Sequence, residues 1–166
     1  MIRLGGVTGL PVVCAGQLTG RVEQTVLTQD GRRLRGLVVR RGFGGARWLP
    51  VEDVQVMGQV TVIAARKPGK LPRDADFALG SVRDTAGLEL GRVTDVFITG
   101  DHGHVAAIEI TLGPLEEMTC GRMLAREFAV CPIPGEPGQV LIPTGCALEP
   151  VRNWQRTHLR EGGDGE

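Results

Sequence analysis

The chain has 166 residues, of which 42% are hydrophobic and 23% are charged, and its formal net charge is zero. These fractions are those of an ordinary soluble protein. No run of about 18 apolar residues is present, which excludes a membrane-spanning helix, and the first residues lack the apolar core of a secretory signal. We therefore expect a cytoplasmic protein with no membrane span.

The zero net charge conceals an uneven distribution. Residues 1–70 carry eleven Lys/Arg and four Asp/Glu, a formal +7, whereas residues 71–166 carry eight and fifteen, a formal −7. One interpretation is that the two halves attract each other, or stack head-to-tail between molecules as a homo-oligomer. The other is that the first half presents a cationic face to an anionic partner.

The first half is predicted to consist of short β-strands separated by glycines. Residues 10–13 predict a short strand, residues 21–28 a half-buried strand, and residues 34–40 its antiparallel return. Between the last two, Asp30-Gly31 predicts a hairpin with a type I′ turn.

The rest of this half follows a glycine-rich connection at residues 42–45. Val51-Glu52-Asp53-Val54 fits either one helical turn or the start of a strand, and residues 54–57 and 59–63 predict two further strands. About six short strands in so small a unit favour a closed barrel, because closure removes exposed sheet edges.

The second half restarts the same pattern after a segment without periodicity. We assign residues 1–66 to a first domain, 67–76 to a linker, 77–150 to a second domain and 151–166 to a C-terminal tail that can begin with a short helix. Within the second domain, residues 91–98 and 105–111 predict a hairpin whose tip lies at 101–104. Residues 115–124 fit either a helical turn or a loop, and residues 139–143 predict the last strand.

The two halves are related by an internal repeat. A shift of 71 positions aligns residues 9–39 with residues 80–110, and eight of these 31 pairs are identical, where chance would give roughly two or three. The match includes Gly20-Arg21-Val22 on Gly91-Arg92-Val93. The repeated unit is therefore about 70 residues long.

These motifs resemble the PRC-barrel superfamily. The resemblance is carried by Gly9-Leu10-Pro11-Val12, by Gly20-Arg21-Val22 at the start of a strand, by the apolar return strand and by the segment from Trp48 to Val54, which lacks a clear counterpart in the second half. The family is named for the cytoplasmic domain of the photosynthetic reaction-centre H subunit and includes the C-terminal domain of the ribosome maturation factor. The resemblance implies an all-β chain of two tandem six-stranded β-barrels, without shared catalytic residues.

Arginines are concentrated in one part of the first half. Guanidinium groups bind carboxylate and phosphate bidentately, and aromatic side chains beside them can stack or anchor a partner. The alternative is a solvated face, or a surface that binds the acidic second half. The candidate interaction residues are Arg32, Arg33, Arg35, Arg40, Arg41, Phe43, Arg47 and Trp48.

Other reactive side chains form no complete motif. His102 and His104 on the second hairpin tip are weak candidate metal ligands, since one nearby Asp does not complete a coordination shell. The four cysteines contain no Cys-x-x-Cys pair, and we expect reduced thiols, with a Cys120–Cys131 pair left open. The neighbouring carboxylates Glu116 and Glu117, like Asp74 and Asp76, face no evident nucleophile or base.

We therefore expect a non-enzymatic protein without a cofactor or metal, which acts as a protein–protein adaptor or docking module. The alternative is a ribosome- or RNA-associated factor that binds through its basic first half. A weaker alternative is an accessory subunit of a membrane complex, held there by a partner.

Overall fold

The computed structural model describes residues 1–100 and 103–158. Strands account for 53% and helices for 11% of these described residues. The expectation of an all-β chain is therefore confirmed.

The first half contains eight strands, and seven of them form one sheet in the order β6-β7-β2-β3-β4-β5-β8. A 3-10 turn at Val51–Asp53 leads directly into β6, so this stretch is both a helical turn and the start of a strand. The strands are β1 (Ile2–Arg3), β2 (Pro11–Cys14), β3 (Gln17–Leu27), β4 (Leu34–Arg40), β5 (Ala46–Pro50), β6 (Val54–Met57), β7 (Val62–Ala64) and β8 (Gly69–Lys70).

The second half forms a sheet in the order β13-β14-β9-β10-β11-β12-β15, with β1 pairing with β10 beside this path. Its described residues also form two α-helices, α1 (Pro114–Thr119) and α2 (Val151–His158), and α2 lies in the predicted tail. The strands are β9 (Leu79–Asp84), β10 (Glu89–Ile98), β11 (Val105–Thr111), β12 (Met123–Ala125), β13 (Ala129–Ile133), β14 (Glu136–Ile142) and β15 (Glu149–Pro150).

The two sheets share one topology. Adding seven to each strand number of the first sheet gives the strand order of the second. The pairing directions also agree. β2 pairs in parallel with β7 and β9 pairs in parallel with β14, whereas β3 is antiparallel to β2 and to β4, and β10 is antiparallel to β9. The sequence repeat is thus matched by a repeat of topology.

Closed six-stranded barrels are not observed within the described residues. Each sheet is curled but open, and its path ends in short strands, β6 and β8 in the first and β13 and β15 in the second. Short edge strands limit the unpaired backbone that an open sheet exposes.

The chain divides into two compact units. Unit 1 comprises Met1–Ala78 and Phe97–Ala106, and unit 2 comprises Leu79–Val96 and Ala107–Glu166. The segment predicted as a linker, residues 67–76, contains β8, which pairs with β5 in unit 1. Unit 1 is therefore built from two stretches of chain that are separate in sequence.

Two equivalent glycines explain part of the repeat. Gly20 and Gly91 have φ angles of 152° and 157°. A Cβ on Gly20 would lie 2.7 Å from the carbonyl oxygen of Arg40, and a Cβ on Gly91 would clash with the carbonyl oxygen of Thr111, the equivalent position. Only glycine allows the two strands to approach this closely.

Candidate functional site

Strand β4 separates the candidate arginines into two groups within unit 1. Arg32, Arg33 and Arg35 lie at its start, whereas Arg40, Arg41 and Arg47 lie at its far end or on the next hairpin. Because a strand rises about 3.3 Å per residue, the seven residues of β4 span about 20 Å. The predicted arginines therefore form two surfaces. We name the surface of Arg32, Arg33 and Arg35 the cavity end, and the surface of Arg40, Arg41 and Arg47 the hairpin end.

At the cavity end, the loop between β3 and β4 is held by its own side chains. The Thr28 hydroxyl and the backbone N–H of Arg32 both donate hydrogen bonds to Asp30, and these bonds lower the pKa of the Asp30 carboxyl. The predicted hairpin is present, but the type I′ turn is wrong. Only Gly31 has a positive φ, and Asp30 instead acts as a side-chain acceptor, which a longer turn can accommodate.

The second stretch of unit 1, Phe97–Ala106, forms backbone hydrogen bonds with this loop. The Leu34 N–H donates to the Gly103 carbonyl at 2.7 Å, and the Val105 N–H donates to the Arg32 carbonyl at 2.9 Å. The two bonds are reciprocal in the repeat, since Gly103 is equivalent to Arg32 and Val105 to Leu34. Gly103 has φ 64°, and a Cβ there would lie 3.0 Å from the Leu34 Cβ, so this contact also requires glycine.

These segments surround a cavity of about 710 Å³. Its apolar wall contains the buried Leu34 and Ile98, together with half-buried aliphatic side chains. Its polar rim contains two of the predicted arginines. The lining residues are Ile2, Thr28, Arg33, Leu34, Arg35, Val51, Glu52, Val54, Gln55, Met57, Ile98, Gly100, Gly103 and His104.

Arg35 is held on one side of this cavity by two partners. Its guanidinium donates to Asp74 at 3.0 Å and lies 5.5 Å from the Trp48 ring centroid. The hydrogen bond from Arg35 lowers the pKa of the Asp74 carboxyl. Trp48 itself is buried in a cluster with Val26, Val38 and Ala75. Trp48 therefore packs in the interior, where its main contribution is to stability.

At the hairpin end, Phe43 is fully exposed on the connection between β4 and β5. Arg47 lies directly opposite Lys70 in the β5–β8 register. Arg41, Arg47 and Lys70 have no acidic partner within ion-pair distance among the described residues, whereas Arg40 forms a bidentate pair with Glu23 at 2.9 and 3.2 Å. Among the described residues, three cationic side chains without an acidic partner thus lie at the same end of unit 1 as the exposed ring of Phe43.

The predicted metal ligands are only partly described. His104 lines the cavity, and His102 lies outside the described residues. Across the described ranges, no group of three or more His, Cys, Asp or Glu side chains could hold a metal ion. All four cysteines are free thiols, so the optional Cys120–Cys131 pair is not formed.

One carboxylate of each neighbouring pair, Glu117 and Asp74, is engaged in an ion pair. Glu117 accepts from Arg122 at 2.8 Å and from the Thr111 hydroxyl, and these bonds lower the pKa of Glu117. Asp74 is bound to Arg35 as described above. Both carboxylates are thereby stabilised in the ionised form.

Sequence reasoning missed a buried carboxylate in unit 2. Glu109 is 1% exposed, and its Oε1 accepts from Arg122 at 2.8 Å and from the Thr94 hydroxyl at 2.9 Å. A signal was present, because Glu109 is equivalent in the repeat to the buried Val38. The cavity was also missed, since its walls come from distant parts of the sequence.

Comparison with known proteins does not assign the chain to a family. No protein-family model matches the chain, and no curated protein matches it significantly either. Within the described ranges, none of the helices has the length and apolar character needed to cross a bilayer.

Proposed function

We propose that this chain is a non-enzymatic docking protein of the PRC-barrel type, which binds a protein partner through the hairpin end of unit 1. The proposal treats the two open sheets as paired variants of the PRC-barrel fold. Their shared topology and the resemblance of residues 4–63 and 77–143 to that superfamily support this classification.

The observation that carries the docking role is the exposure of Phe43. Phe43 contributes nothing to the core of unit 1, and aromatic residues are enriched at the centres of protein interfaces. Arg41, Arg47 and Lys70 lie at the same end, where they would complement an acidic rim on the partner. The favoured partner surface is therefore an apolar pocket surrounded by carboxylates.

Site-specific photocrosslinking tests this proposal. A photoreactive phenylalanine analogue is placed at position 43 in cells, and the same analogue at position 60 serves as the control, because Val60 is an exposed apolar residue of unit 1 outside the hairpin end. We expect one discrete protein adduct from position 43 and none from position 60. Identical adducts from both positions, or none from either, would contradict the proposal.

The second candidate function is RNA binding, and the cross-strand Arg47–Lys70 pair favours it. Like charges directly opposite each other in a sheet destabilise it unless an anion lies between them. RNA binding predicts a nuclease-sensitive complex whose affinity falls with salt. Replacing Arg41, Arg47 and Lys70 by Gln would then reduce the slope of log K against log salt by about two. A nuclease-resistant, salt-tolerant adduct supports the protein partner instead.

A further inference from the structure

We propose that the cavity of unit 1 binds an aliphatic monocarboxylate, with its chain in the apolar interior and its carboxylate on Arg33. This ligand site is independent of the docking role, because it lies at the other end of β4. Its volume of about 710 Å³ falls in the range of small-molecule pockets.

The interior of the cavity suits an alkyl chain. Leu34 and Ile98 are buried, and Ile2, which is paired with Ile98 in register, is half-buried beside them. Val54 and Met57 supply further apolar surface from β6. Burial of methylene groups against such a wall is favourable in proportion to the area removed from water.

The carboxylate preference comes from Arg33. Its exposed guanidinium has no ion-pair partner among the described residues, whereas Arg35 on the same cavity is already bound to Asp74. A guanidinium presents a planar set of donors that matches a carboxylate. Gln55 adds an amide donor at the rim, and Glu52 is the one carboxylate among the lining side chains of the described residues.

The cavity wall around Arg33 is held in place by hydrogen bonds within the protein. The reciprocal bonds of Leu34 with Gly103 and of Val105 with Arg32 fix the backbone on either side of Arg33. Thr28 and Asp30 brace the preceding turn. A preformed pocket loses less conformational freedom on binding.

Three probes with one alkyl chain test the proposal: octanoate, octanol and octylamine. Binding is followed by methyl NMR of the full-length protein, with Val54, Met57 and Ile98 as reporters. We expect octanoate to shift these methyls and to bind about tenfold more tightly than octanol, with octylamine the weakest, because only the carboxylate gains charge-assisted hydrogen bonds from Arg33.

Three substitutions test which group binds the carboxylate. Arg33→Gln should weaken octanoate about tenfold and leave octanol unchanged, whereas the control Arg41→Gln, at the hairpin end, should change neither. Glu52→Gln should tighten octanoate by removing a like charge. Equal affinities for the three probes, tightest binding of octylamine, equal losses in both arginine variants, or no methyl shift with octanoate would each overturn the proposal.

Discussion

Gly91 illustrates how one atom can determine whether two strands pair. Gly91→Ala should lower the free energy of unfolding by about 2–4 kcal/mol, because the new Cβ would overlap the Thr111 carbonyl and the φ of 157° is unfavourable for alanine. Gly45→Ala is the control, since Gly45 has an ordinary φ and nothing within 4 Å of a Cβ. Urea denaturation measures both changes, and equal stabilities for the two variants would refute the steric explanation.

Arg122 forms an ion pair with the buried carboxylate of Glu109. Arg122→Met should lower the free energy of unfolding by about 2–4 kcal/mol, because the buried Glu109 carboxylate loses the cation bound to it at 2.8 Å. Arg126→Gln, which breaks the half-exposed Arg126–Glu149 pair, should change it by less than about 1 kcal/mol.

The double variant Glu109→Val with Arg122→Met provides the decisive comparison. It gives unit 2 the valine that unit 1 has at the equivalent Val38, and it removes both charges together. We expect it to recover most of the lost stability, because replacing a buried ion pair by apolar side chains is often neutral. If the double variant is as unstable as Arg122→Met, then the loss is due to the packing of Arg122 or its bond to Glu117, and not to the buried charge of Glu109.

At the scale of elements, the loop between β3 and β4 should make stability depend on pH. The folded state holds the pKa of Asp30 below its ordinary value, so its contribution is fully present above about pH 4 and is lost as the pH falls through the folded pKa. Asp30→Asn should therefore be less stable than the wild type at pH 7, and the difference should shrink in acid. Denaturation at a series of pH values measures it, and a constant difference would contradict this role for the ionised carboxyl.

The elements also show which predictions the sequence could support. Strands were predicted at residues 34–40 and 105–111, and β4 and β11 occupy these positions, because β-branched residues and flanking glycines signal strands locally. The turn at Asp30 was assigned the wrong type, since Asp30-Gly31 is compatible with more than one turn geometry. The cavity could not be predicted, because Ile2, Thr28 and Ile98 meet only after the sheets have formed.

At the scale of the molecule, the discontinuity of unit 1 predicts that residues 1–78 are incomplete alone. In the full chain the Leu34 N–H is bonded to Gly103, so its amide hydrogen should exchange slowly. In a fragment of residues 1–78 it should exchange much faster, whereas the Val38 amide in the centre of β4 serves as a control within the same sheet. Equal protection of Leu34 in the fragment and the full chain would show that Phe97–Ala106 is dispensable for unit 1.

The order of synthesis gives this architecture a further consequence. A ribosome releases the whole seven-stranded sheet well before it releases Gly103 and Val105, which lie about 70 residues after their bonding partners. Until then, the Leu34 N–H and the Arg32 carbonyl lack these two bonds. Nascent unit 1 therefore lacks one wall of its cavity until Leu79–Val96, the first stretch of unit 2, and the residues after it up to Val105 have been translated.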